Sequence, residues 1–149
     1  MRCCNIHVYQ IVTLRLSKIM YEIESKLIEK SGLTATNQRI MILHFIYEIA
    51  DHPTADDIID WTQKHCPKIS VATIYNTLNT FVEKGMIHAM SPPGSKTIYY
   101  DKNTHHHYHL VDTKTGKFQD INPTSIQFSH QIEDYAVEKV DVFIYAHKK

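Results

Sequence analysis

The apolar residues of this chain change their period partway along it. Between Tyr21 and Lys84 they recur at three- and four-residue steps, and beyond Asp101 they alternate. The first pattern buries one face of each of several helices, the second one face of a sheet. The chain must therefore fold as a helical part followed by a strand-bearing part. Its 149 residues suffice for one domain or two small ones.

Local signals punctuate the helical part. Ile23, Leu27 and Ile28 mark an amphipathic helix from Tyr21 to Lys30 that Ser31-Gly32 ends. A second helix starts near Thr36, carries Ile40, Leu43, Ile46 and Tyr47, and stops at Asp51-His52-Pro53. Thr54, with Asp57 three residues on, makes a capping-box start for a third helix that Pro67 ends. Ser70 is the N-cap and Gly85 the C′ residue of a fourth. At 100° per residue, Val71, Ile74, Leu78, Phe81 and Val82 share one face of that helix, while Ala72, Thr73, Asn76, Asn79 and Thr80 share the other. Short, uncharged polar residues suit a helix pressed against a polar partner, and equally a plain solvated surface.

Two extended runs follow, Met86 to Met90 and Lys96 to Tyr100, joined by the turn-rich Ser91-Pro92-Pro93-Gly94-Ser95. Helices followed by a hairpin predict a winged helix-turn-helix, whose last helix enters the major groove and whose dimers read palindromes. Beyond it, strands are expected over 108–111, 117–121 and 140–145, with a turn at Asp112 to Gly116 and a helix over 124–138. The fold class is α+β. The expected boundaries are an extension over 1–19, a winged-helix domain over 20–92 and a small α/β domain over 93–149. Met20 opens the first strongly helical segment, and translation starting there would make 1–19 an upstream extension without an assigned role.

Charge and composition exclude several classes. Apolar runs are broken far short of the roughly 20 residues a membrane span needs, and residues 1–19 lack the apolar core and cleavage site of a signal peptide. Three cysteines without spaced pairs fit a reducing cytosol and cannot build a four-thiolate zinc site. Sixteen basic and sixteen acidic residues cancel, so net charge lends no support to a nucleic-acid partner. The unusual number is 11 histidines, four of them within residues 105–109. His107 and His109 alternate along a strand and face one side; Asp120 lies on the next strand, and Asp101 at the domain junction. Nitrogen and oxygen donors so grouped can floor a divalent-cation site, although a histidine run is equally an exposed polar tract. His105 and His106 read as a solvated lead-in.

Several segments together resemble one family. HPTADDI (His52 to Ile58), SVATIYNTL (Ser70 to Leu78), the T-x-Q-R of Thr36 to Arg39, Y-D-x(5)-H-Y-H from Tyr100 to His109, and the G-K-x-x-D ending at Asp120 look like the ferric uptake regulator family over about residues 22–146. The resemblance implies a homodimeric, metal-dependent bacterial transcription repressor in the cytoplasm rather than an enzyme, binding a palindromic double-stranded DNA operator. It also implies regulatory metal ligands at His52, Asp101, His107, His109 and Asp120, holding Fe²⁺ or Mn²⁺, with Zn²⁺ also accepted. The helix from Ser70 to Lys84 would then lie in the major groove, with Thr73, Tyr75, Asn76 and Asn79 nearest the bases and Arg39 and Lys84 on phosphates.

The sequence also departs from that family. Its C-x-x-C corresponds here to Asp112 and Thr115, and the C-terminal YAHKK lacks a second pair, so no four-cysteine structural zinc is expected. Tyr108 stands where some members place a carboxylate of an additional site. Asp120, where iron sensors commonly have Glu, and Asn76 after Tyr75 resemble the peroxide-sensing branch. In that branch the histidines matching His52 and His107 are oxidised. An iron-, manganese- or zinc-responsive regulator is the alternative; a hydrolase, an oxygenase or a plain metal buffer would use the same donors differently.

Overall fold

The computed structural model describes residues 21–125, 134–136 and 140–148. Contacts divide the chain into two units: residues up to 91 with 95–103, and 92–94 with 104 onward.

In the first unit a helix over residues 21–30 (α1) is followed by α2, Asn37–His44. The Thr36 side chain caps α2 by accepting from the Arg39 N–H. The second helix does not continue unbroken to Ala50, because from Phe45 to Ile49 the backbone widens into a π turn closed by Ala50 N donating to Phe45 O at 2.9 Å. Helix α3, Ala55–His65, starts with the expected reciprocal cap: Asp57 N donates to Thr54 Oγ1 and Thr54 N to Asp57 Oδ2. Helix α4, Val71–Glu83, is capped by Ser70 accepting from Thr73 N at 3.1 Å. It ends at Gly85, whose φ of +65° is the left-handed conformation that favours glycine.

Strands β1, His88–Met90, and β2, Tyr99–Asp101, pair antiparallel to complete the winged helix-turn-helix. Their hydrogen bonding keeps 95–103 with the helices. Ile28, Ile42, Leu43, Ile46, Ile58, Ile74, Leu78 and Phe81 form one sealed core. Each such side chain contributes roughly 1.5–3 kcal/mol by leaving water. Val71, which shares the apolar face of α4 by angle, is 40% exposed, because the first turn of the helix projects beyond that core.

The second unit is a three-stranded sheet in the order β4–β3–β5. Its central strand β3, Tyr108–Asp112, pairs antiparallel with β4, Phe118–Ile121, and parallel with β5, Phe143–Ala146. The β3–β4 turn is set by Asp112, whose Oδ1 accepts the Lys114 and Thr115 N–H groups, with Gly116 at φ +69°. Those N–H groups, that of Lys114 first, hold the Asp112 carboxyl below its ordinary range. The helix expected over 124–138 falls largely outside the described residues; at its near edge Pro123–Ser125 form a 3₁₀ turn. Among the described residues no helix is long and apolar enough to cross a membrane.

Candidate metal centre and nucleic-acid face

In the first unit the segment after the π turn delivers His52. Its φ is +49°, a conformation uncommon outside glycine, and disfavoured further because Pro53 follows. The wing holds the chain there: Tyr100 N donates to Pro53 O at 2.8 Å, and Thr54 bridges to Tyr99. Such strain, about 1–3 kcal/mol per residue, persists only where the surroundings over-determine it. The result is a buried imidazole with Nε2 3.6 Å from Oδ2 of the equally buried Asp101, and Nδ1 2.9 Å from Asp51 Oδ1. Asp101 is oriented in turn, since its Oδ1 accepts the Asn103 N–H at 2.7 Å.

Next to Asp101 lies Tyr47. Burial first, and the charge of Asp101 second, push its phenol above the usual tyrosine range.

In the second unit β3 and β4 bring three donors together. His109 sits opposite Asp120 in the ladder, and His107 lies one residue before β3. The atoms that His107, His109 and Asp120 offer lie within 4.8 Å of one another. The His107 and His109 Nε2 atoms are 2.8 Å apart, and His107 Nε2 is 3.7 Å from Asp120 Oδ1. His107 Nδ1 lies 2.7 Å from the His105 carbonyl, which can only accept; this fixes the proton on Nδ1 and leaves a lone pair on Nε2. The His109 ring stacks on Phe143 at 5.4 Å and meets the edge of Phe118 at 6.3 Å, so its aim is set by packing.

This donor set fits a divalent cation. Two imidazole nitrogens at 2.8 Å need either a proton between them or a cation accepting both lone pairs. Two imidazoles and a carboxylate on one unit, and one of each on the other, are borderline-hard donors suited to Fe²⁺, Mn²⁺ and Zn²⁺. Among the described residues the one cysteine is Cys66, just beyond α3, and the Asp112 turn carries none.

The other candidate residues lie on α2 and α4. Arg39, Thr73 and Asn76 line one cleft with Thr34, Thr36, Gln38, Thr77 and Thr80. Tyr75 and Asn79 on α4, and Lys84 at its C-cap, are exposed but outside that cleft. The Thr77 and Thr80 hydroxyls donate back to the Thr73 and Asn76 carbonyls, so the cleft's side-chain amides are those of Gln38 and Asn76. Arg39 is preset by Nη1 donating to Thr34 O at 2.9 Å. Sequence reasoning missed Thr34 and Gln38 as cleft residues; Gln38 was within reach, because it belongs to the same T-x-Q-R motif as Arg39.

Known proteins resemble most of the chain. A model of the ferric uptake regulator family matches residues 30–147. The peroxide-responsive repressor PerR of Staphylococcus epidermidis is 33% identical over 125 residues, 83% of each chain. That of Staphylococcus aureus is 31% identical over 139 residues, 92% of this chain and 91% of the other. Among solved structures, the Vibrio cholerae ferric uptake regulator shares the fold with a TM-score of 0.62 at 19% identity, over 83% of this chain and 98% of that one. The peroxide stress regulator of Campylobacter jejuni has a TM-score of 0.56 at 25% identity, over 86% and 95%.

Proposed function

The chain belongs to the ferric uptake regulator family, and on that premise we propose that it is a metal-dependent bacterial transcriptional repressor that senses peroxide through its own metal-ligand histidines. It is a transcription factor of the cytoplasm rather than an enzyme, and acts as a homodimer on a palindromic double-stranded operator. The observation that carries this reading is the convergence of His107 and His109 Nε2, 2.8 Å apart beside Asp120. His52 and Asp101 supply the remaining two ligands.

Five ligands divided between two units make a clamp. A cation that needs both sets favours the arrangement of the units in which all five reach it, and so selects one spacing of the reading heads in the dimer. Fe²⁺ or Mn²⁺ is the resident ion, with Zn²⁺ also accepted. Bound Fe²⁺ supplies the electron chemistry that activates hydrogen peroxide. His52 and His107 would then be the targets, the first a buried imidazole beside Asp101 and the second a ring aimed by the His105 carbonyl. In balance, one imidazole C–H and one H₂O₂ become one 2-oxo-imidazole and one water. An oxidised ring is a poorer donor, so the clamp loosens and the operator is released. The peroxide-responsive names of the relatives and the Asp at position 120 support peroxide over iron as the signal.

Peptide mass spectrometry after peroxide treatment of the Fe²⁺ and Mn²⁺ forms, alongside operator binding, is the test. A one-oxygen gain on the His52 or His107 peptide of the iron form only, with release of DNA, is expected. No gain, with DNA binding still following iron, would establish the iron-responsive alternative.

A further inference from the structure

Tyr47 joins two parts of the first unit that are far apart in sequence. Its hydroxyl donates to Met86 O at 2.7 Å, at the joint between α4 and β1. Its own carbonyl accepts the Lys102 ammonium at 2.7 Å, and Lys102 follows Asp101 directly. Met86 is in turn tied back to the last turn of α4, its N–H donating to Phe81 O at 2.9 Å. One connected path therefore runs from the Asp101 strand through Lys102, Tyr47 and Met86 to Phe81 on the reading helix.

The π turn is what makes the path available. It places a mid-turn residue so that ring and carbonyl both serve as anchors, and π turns recur at functional positions. A Phe or Leu at position 47 would fill the same space and leave Met86 O without this donor. Lys102 is exposed, and its long side chain would ordinarily extend into water. Here it spans 55 positions of sequence to hold one carbonyl. Packing alone requires neither bond.

We propose that Tyr47 is a positioning residue that couples occupancy of the Asp101 ligand to the setting of α4, an inference that rests on the repressor reading above. Drawing Asp101 toward a cation draws Lys102 with it, and the Tyr47 carbonyl and hydroxyl pass that displacement to the end of the reading helix. Coupling of this kind appears as a factor between metal and DNA affinities, and it is reciprocal.

The test compares the full-length parent, Tyr47→Phe and Lys102→Met. The probe is a duplex selected by the Mn²⁺-loaded parent from random-sequence DNA. Anisotropy gives duplex affinity with and without Mn²⁺, and calorimetry gives Mn²⁺ affinity with and without duplex. Both variants should keep their Mn²⁺-free duplex affinity and duplex-free Mn²⁺ affinity within about twofold. The Mn²⁺ enhancement of duplex binding should fall at least about threefold, and the duplex enhancement of Mn²⁺ binding by the same factor. If the parent itself shows no Mn²⁺ enhancement, the repressor reading fails and this inference with it. If the parent shows it and both variants keep it in full, the coupling alone is overturned. Equal loss of all four affinities would mean a merely structural role and overturn it too. Should Tyr47→Phe not fold, Lys102→Met decides by the same criteria.

Discussion

His109 and Asp120 face one another across the β3–β4 ladder, so the carboxylate is positioned by strand register rather than by a loop. Register is hard to slip where one face of a strand is buried, because a shift of one residue turns every side chain over. Val111 and His109 are both buried on β3. The second unit thus holds the His109 and Asp120 donors on paired strand backbone, which suits a centre proposed to recognise a cation and respond to its loss.

His107→Ala should lower Mn²⁺ affinity more than about tenfold, since a ligand is removed rather than a supporting group, and even supporting groups cost about 10–100-fold. The metal-free protein should melt only a few degrees below the parent, because the His107 side chain is 10% exposed but lies outside the strand ladder. Calorimetric titration with Mn²⁺ and thermal unfolding in chelator check both. Unchanged Mn²⁺ affinity would remove His107 from the ligand set.

On the nucleic-acid face, Arg39→Ala should weaken binding to operator and random duplex about equally and reduce the salt slope by about one, the signature of one lost phosphate contact. Asn76→Ala should instead lose about 1–3 kcal/mol on operator and little on random sequence, because an amide reads a base edge. Salt titrations of both duplexes distinguish the two roles. Near-zero net charge makes the first effect conspicuous, since no overall basic excess compensates for it.

The dimer should hold no chelator-resistant zinc. Asp112 and Thr115 occupy the turn where thiolates would be needed, and the Asp112 carboxylate is already engaged by the Lys114 and Thr115 N–H groups. Elemental analysis after exhaustive dialysis against a strong chelator, with sedimentation to verify the dimer, is the measurement. One retained zinc per chain would reveal a structural site outside the donors described.

What was legible in the sequence was what is encoded locally. Ser70 and Gly85 bound α4, and Thr54 with Asp57 opens α3, because capping depends on residues within one turn. The alternation of His107 and His109 with Asp120 on the next strand was readable for the same reason. Three features depend on partners distant in sequence and were not. The π turn at Phe45–Ile49 is anchored through Met86 and Lys102. The left-handed His52 is held by the wing through Pro53. Strand β5 is matched in parallel to β3, a pairing that no turn signal announces.

A final expectation concerns alkaline pH. Burial raises the phenols of Tyr47 and Tyr100, with the charge of Asp101 adding at the first and the proximity of Tyr75 at the second. A phenol whose folded pKa lies above its unfolded value near 10 holds its proton more tightly in the native state. Its contribution is complete below pH 10 and is lost as pH rises through the folded value, because unfolding then releases a proton. Native stability should therefore fall as pH rises above about 10, and Tyr47→Phe and Tyr100→Phe should each flatten that fall relative to the parent. Urea unfolding at intervals from pH 8 to 11.5, with tyrosinate absorbance recorded in parallel, measures both stability and ionisation. If the tyrosinate signal of these two residues appears near pH 10 without any loss of stability, their phenols are solvated, and the hydrogen bond from Tyr47 to Met86 does not persist in solution.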